Sequence, residues 1–140
     1  MPPRGVKKGT KRARQYEHIK ESTKERGASE SRAEEIAGEA ARRFGVVVAL
    51  KSARTHVASP DGLSVHLDEG KIGLATAGSG DVLAGVIAGL LARGADPFAA
   101  AAWGVFLHRE AGIRLARRLG PIGYLARELL QELPRALAES

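Results

Sequence analysis

The sequence predicts an α/β fold, and three observations carry that expectation. A short β-branched run, Val46-Val47-Val48-Ala49-Leu50, is followed by a turn signal at Pro60-Asp61-Gly62, and three helical stretches fill the remainder of the 140 residues. A helix, a strand, a hairpin and further helices in that order are mixed α/β in character. A chain of this length forms one compact domain at most, and 44% apolar residues suffice to give it a core. Aromatics make up only 4%, so packing must rest on Ala, Val, Leu and Ile.

Each element has its own signal. Ser31-Arg32-Ala33-Glu34 has the form of a capping box and opens a helix with Ile36, Ala37, Ala40, Ala41 and Phe44 on one side. Gly45 stops that helix. The continuous apolar run 46–50 reads as a strand buried on both faces. His56–Ser59 and Leu63–Leu67 flank Pro60-Asp61-Gly62 as a hairpin, and Asp68–Gly73 is a second loop. The first late helix is expected from Asp81 to Gly94. The second opens on Asp96-Pro97, an N-cap and first-turn pair, and ends at Gly120-Pro121. The third covers about Tyr124 to Leu133, with Pro134 bending or ending it. No internal repeat is present.

Charge divides the chain. Residues 1–26 hold nine Lys or Arg and three Glu, which is the whole formal charge of +6; the rest carries thirteen of each sign. The expected organisation is therefore a basic, flexible arm over residues 1–30 and a neutral folded body over 31–140. The arm could neutralise several nucleic-acid phosphates. With one aromatic, Tyr16, and no nucleic-acid motif, it reads as a solvated tail. Cysteine is absent, so no disulfide or thiolate metal site is available. No apolar segment follows the basic start as a secretory signal requires, and Val82–Ala92 is too short to span a bilayer. A cytoplasmic protein with no membrane partner is expected.

Thr76-Ala77-Gly78-Ser79-Gly80-Asp81 is the most informative segment. Gly78 and Gly80 let backbone N–H groups approach a ligand with no side chain in the way. The following helix N-terminus adds unpaired N–H groups and partial positive charge, which makes an anion hole suited to phosphate. Asp81 at its mouth could take the proton from a substrate hydroxyl that attacks phosphorus, or could be only an N-cap. Beyond it, Val82, Leu83, Val86, Ile87, Leu90 and Leu91 form an apolar side. Ala84, Gly85, Ala88 and Gly89 form a side almost without side chains. Two helix-interior glycines cost about 1 kcal/mol each relative to Ala, which fits a close neighbour there, either another helix or a nucleotide. His108, among apolar residues, reads as a packed helix residue.

These residues resemble a known family. The stretch Gly73–Gly94 is similar to the signature of the NAD(P)H-hydrate dehydratases, a branch of the ribokinase-like superfamily. Val46–Gly62 is similar to that family's strand, its Lys-Gly-Ala-x-Thr loop and its Pro-Asp-Gly turn. Trp103–His108 and Gly120–Leu130 resemble later helices. The resemblance runs from about Ala33 to the end and implies the C-terminal portion of a ribokinase-like fold. The family's upstream half, with much of its parallel sheet, is expected to be missing. Residues 1–35 resemble small basic bacterial plasmid-stabilisation proteins, with a junction near Ile36–Ala41.

The resemblance implies a carbon–oxygen lyase that repairs hydrated NADH or NADPH. ADP or ATP, with Mg2+, phosphorylates the ring hydroxyl, and phosphate is then eliminated. It implies Asp81 as the base and a substrate contact. It places Gly78, Ser79 and Gly80 at the phosphates, and Lys51, Ser52, Ala53, Arg54 and Thr55 at the adenine nucleotide. Two departures stand out: Ser52 replaces the family's loop Gly, and Asp68–Gly73 keeps only the last Gly of a Thr-Gly-Asn-x-Gly stretch. The alternative functions are a ribokinase-like small-molecule kinase, whose phosphorylated product would be stable, and a non-enzymatic nucleic-acid-binding basic protein. A half-sheet with open strand edges also invites homo-oligomer formation.

Overall fold

The computed structural model describes residues 29–52, 54–68 and 72–140. The chain divides into two units, Met1–Glu35 and Ile36–Ser140. Of the first, residues 29–35 are described and are helical. Helix is already under way at residues 29 and 30, so Ser31 lies within it rather than capping it. Strong helix formers on both sides, Glu30 and Arg32 to Glu35, carry it through the serine. Residues 1–28 of the basic arm, and the nucleic-acid contact considered for it, lie outside the described residues.

The second unit begins with helical residues 36–44 (α1). Three strands follow, β1 (Val48–Leu50), β2 (Arg54–Ala58) and β3 (Ser64–Asp68). They form one antiparallel sheet in the order β1-β2-β3. Val48 faces Ala58 across the first pair, and Ala58 faces Ser64 across the second. The hairpin forms where the sequence placed it. Gly62 N–H bonds the Ser59 carbonyl at 3.1 Å, and the Ser59 hydroxyl donates to Asp61. Gly62 has φ 95°, a conformation most side chains resist. β1 departs from expectation. It is an edge strand with Ala49 exposed, because among the described residues it has a partner on one side only.

A 3-10 turn (Ile72–Ala75) leads to helices α2 (Ser79–Ala92), α3 (Pro97–Leu119) and α4 (Ala126–Ala138). Asp96 caps α3 as predicted, accepting from the N–H groups of Phe98 at 2.9 Å and Ala99 at 3.2 Å. The sheet is packed on both faces. On one, Ala58 meets Ala37 and Ala41 of α1, with Val48 and Leu50 beside them. The helix presents only this narrow alanine stripe, while Ile36 and Phe44, expected on the same side, are exposed. On the other face, Val57 packs with Leu83 of α2 and with Ala101 and Val105 of α3. A third cluster, Leu74, Ala111, Leu115, Tyr124 and Leu129, ties α3 to α4 and the 3-10 turn. Each fully buried leucine or valine here is worth about 1.5–3 kcal/mol.

α4 does not stop at Pro134 but continues to Ala138. Tertiary contacts hold the turn that proline weakens: Ala136 is buried, and the Arg114 guanidinium grips the Glu139 carboxylate at 2.7 Å. That hydrogen bond, and then the charge of Arg114, hold the Glu139 carboxyl below its ordinary value. A carboxyl lowered in the folded state adds stability above the unfolded value, and the contribution is lost as pH falls through the folded one. Thermal melts of wild type and Glu139→Gln should therefore differ near neutrality and converge in acid, once the pH has passed below the ordinary carboxylate range and through the lowered folded value. A difference that persists in acid would assign the effect to something other than this ion pair.

Candidate active site

The site is set by how closely α2 lies on α3. Gly104, His108 and Gly112 recur every fourth residue, so they share one face of α3. A methyl on Gly104 would come within 2.5 Å of Ile87 Cγ1, and one on Gly112 within 2.7 Å of Leu74. The two glycines thus admit Ile87 of α2 and Leu74 of the 3-10 turn. Between them His108, 1% exposed, places Nε2 2.9 Å from both the hydroxyl and the carbonyl oxygen of Ser79.

The loop between the 3-10 turn and α2 is tightly wound. Ser79 N–H bonds the Thr76 carbonyl at 3.2 Å. Gly78 sits at the cap position with φ 84°, and its carbonyl accepts from Asp81 N–H at 3.1 Å and Val82 N–H at 3.2 Å. A side chain at Gly78 would be strained there and would also lie 3.3 Å from Ala126 Cβ. Helix α2 therefore starts at Ser79, two residues before the expected Asp81. Asp81 is not the N-cap, which settles one of the two roles considered for it. It lies in the first turn, exposed, and its carboxylate makes no side-chain hydrogen bond or ion pair to any described residue. A carboxylate in that position is favoured by the partial positive charge of the helix start. Gly80 beside it is exposed, with nothing within 4 Å of where a Cβ would stand.

The other predicted site residues are placed unevenly. Lys51 and Ser52 are exposed on the segment entering β2. The Ser52 hydroxyl folds back to bond the Arg54 backbone, so it does not project outward. The Arg54 guanidinium is 2.7 Å from the Asp68 carboxylate, holding that carboxyl below its ordinary value first by the hydrogen bond and then by charge. Thr55 is fully buried. Ala53 lies outside the described residues. Thr55 stands two residues before Val57, and Gly80 three before Leu83; Val57 and Leu83 belong to one cluster. The structure thus anchors both segments to one core. Ser79, predicted at the phosphates, turns its hydroxyl inward and is 2% exposed.

Two findings differ from the sequence reading. His108 is packed, as expected, but it also touches the glycine loop, a contact that spacing along the chain could not reveal. The small-residue side of α2 was expected to meet a close neighbour, a helix first and otherwise a nucleotide; among the described residues no helix fills that place, since none lies within 4 Å of a Cβ at Gly85 or Gly89. A shallow apolar hollow of about 230 Å³, lined by Ala102, Trp103 and Phe106 on α3, includes none of the loop residues.

Residues 14–135 match the family model for NAD(P)H-hydrate dehydratase. The chain belongs to the NAD(P)H-hydrate dehydratase family. The match begins at residue 14 and so takes in part of the basic arm. The ADP-dependent (S)-NAD(P)H-hydrate dehydratase of Xanthomonas campestris pv. campestris is 53% identical over 98 residues, covering 69% of this chain and 34% of that protein. The bifunctional NAD(P)H-hydrate repair enzyme of Moorella thermoacetica is 48% identical over 103 residues, covering 74% of this chain and 19% of that protein. Among solved structures, the ADP/ATP-dependent NAD(P)H-hydrate dehydratase from Bacillus subtilis, co-crystallised with ATP and Mg2+, superposes with a TM-score of 0.73 at 34% identity. That superposition covers 79% of this chain and 40% of the Bacillus chain. The chain spans about a third of the length of its ADP-dependent dehydratase relative from Xanthomonas. The three-stranded sheet and its helices are a partial dehydratase-type fold. Among the described residues, no helix is long and apolar enough to cross a membrane.

Proposed function

We propose that this chain carries the phosphate loop and the base of an ADP- or ATP-dependent NAD(P)H-hydrate dehydratase. One observation supports this most directly. Asp81 presents an exposed carboxylate, with no side-chain partner among the described residues, in the first turn of α2, next to Gly80, where no described residue lies within 4 Å of a Cβ position. Phosphate oxygens would lie against the Gly80 backbone, where the helix start favours negative charge. The ring hydroxyl of the hydrated nicotinamide would attack the terminal phosphorus while Asp81 takes its proton. The shortened nucleotide leaves with the bridging oxygen. The ring C–O bond of the phosphorylated hydroxyl then breaks, phosphate departs with the electron pair, and loss of a ring proton restores the double bond.

The segment 51–55 would hold the adenine nucleotide through exposed Lys51 and the backbone ahead of buried Thr55. Among the described residues no three His, Asp or Glu are grouped to hold a metal. Mg2+ would therefore arrive on the nucleotide phosphates and offset their charge there.

The test follows recovery of NADH from hydrated NADH with Mg2+ and ADP or ATP. Wild type should regenerate NADH, and Asp81→Asn should lower that rate by about 100-fold or more, the usual scale for a lost general base. Accumulation of a stable phosphorylated product, or equal rates in both proteins, would sink this reading.

A further inference from the structure

The contact between His108 and Ser79 has a role that burial alone does not explain. Ser79 is the first residue of α2, flanked by Gly78 and Gly80, with Asp81 two residues on. Both oxygens of Ser79, hydroxyl and carbonyl, lie 2.9 Å from the same nitrogen of His108. A carbonyl oxygen can only accept, so Nε2 carries the proton and shares it between the two. A serine held by one oxygen can pivot about its Cα. Held by both, its backbone plane is fixed.

We infer that His108 is a positioning residue: from α3 it fixes the first turn of α2, and through it the direction of the Gly80 backbone and the Asp81 carboxylate. Three features make the loop depend on such a hold. Gly78 and Gly80 resist rotation less than any other residue. Gly80 and Asp81 are exposed, and among the described residues the Asp81 carboxylate has no side-chain partner. The N-cap residue Gly78 has no side chain with which to cap the helix. His108 supplies from the neighbouring helix the restraint a capping side chain would otherwise give. Its own position is set by Gly104 and Gly112, one turn to either side, which keep α2 and the 3-10 turn close.

This rests on the proposed function only for what the loop binds; the hold itself is independent of it. The test is amide hydrogen exchange on the whole chain, residue by residue, for wild type, His108→Leu and His108→Gln. Leucine fills the space without a donor. Glutamine returns an N–H at nearly the same reach. Loss of one hydrogen bond should raise exchange of the amides at 80–83 about tenfold in His108→Leu, with α3 and α4 unchanged. His108→Gln should restore protection. Uniform loss across α2 and α3 would mark His108 as core packing alone, and unchanged exchange would leave it no hold on the loop; either overturns the inference. Should His108→Leu not fold, Ser79→Ala decides: it removes the hydroxyl acceptor and should raise exchange at 80–83 severalfold, whereas no rise sinks the idea. Calorimetric titration with ATP and Mg2+ separates the two claims. A wild type that binds no nucleotide removes the functional reading, while the exchange pattern still judges the hold.

Discussion

Gly73→Val is expected to lower the stability of the 36–140 unit by about 3 kcal/mol, at the upper end of what overpacking costs. A Cβ on Gly73 would come within 2.6 Å of two Tyr124 ring atoms, Cε1 and Cζ, and of its hydroxyl oxygen. An aromatic ring cannot bend away as a leucine tip can. Tyr124 is 2% exposed and sits in one cluster with Leu74, Ala111, Leu115 and Leu129. Its buried hydroxyl has no hydrogen-bond partner among the described residues, so among them packing holds the ring. The same burial pushes the phenol up from its ordinary pKa. For a domain of this size each kcal/mol shifts the midpoint by about 4–8 °C, so the melting temperature should fall by roughly 12–24 °C. Urea denaturation checks it. A loss below about 1 kcal/mol would show that the ring moves aside freely. Tyr124→Leu in the Gly73→Val background should recover part of the loss, because the two positions are in contact.

The second large effect separates binding from stability. Gly80→Glu should weaken ATP or ADP binding by about 100-fold or more, the scale of losing an oxyanion donor. Yet the folded chain should be no less stable, and more stable by up to about 1 kcal/mol, since glycine within a helix is unfavourable. Gly80 has no positive φ, and its Cβ position is open, so glutamate fits without strain. An acidic residue in the first turn also suits the helix dipole. The added carboxylate would stand where a phosphate oxygen must lie. Calorimetry with Mg2+ beside a thermal melt reads both quantities. Unchanged affinity would place the nucleotide elsewhere, whatever the stability shows.

The elements legible in the sequence were those specified locally. Pro60-Asp61-Gly62 contains its own turn, and Asp96-Pro97 its own cap. The paired glycines before Asp81 marked the loop because their reason lies in the backbone. Other features depend on partners distant in the chain. β1 reads as a buried strand because its side chains are apolar, but which strands flank it is not encoded in those five residues. Pro134 signals a stop, yet contacts from α3 carry α4 past it. Gly85 and Gly89 stand beside open space, so their cost to α2 has no compensation from any described residue. His108 and Ser79 are 29 residues apart, and only the crossing of two helices makes them neighbours. The family was legible for a different reason: several motifs in order resemble it, and the family model matches residues 14–135.

The row of Gly104, His108 and Gly112 along α3 has a bearing on how this sequence can drift. Each position answers to a different partner, Ile87, Ser79 and Leu74, in reverse chain order. Moving α3 by one helical step would misplace all three contacts together. A variant at one of these six sites is thus acceptable only with its matching change. A larger residue at 104 calls for a smaller one at 87, and a longer one at 112 for a shorter one at 74. Across descendants of this chain the six should vary as linked pairs, and libraries that randomise α3 alone should return glycine at 104 and 112 again and again.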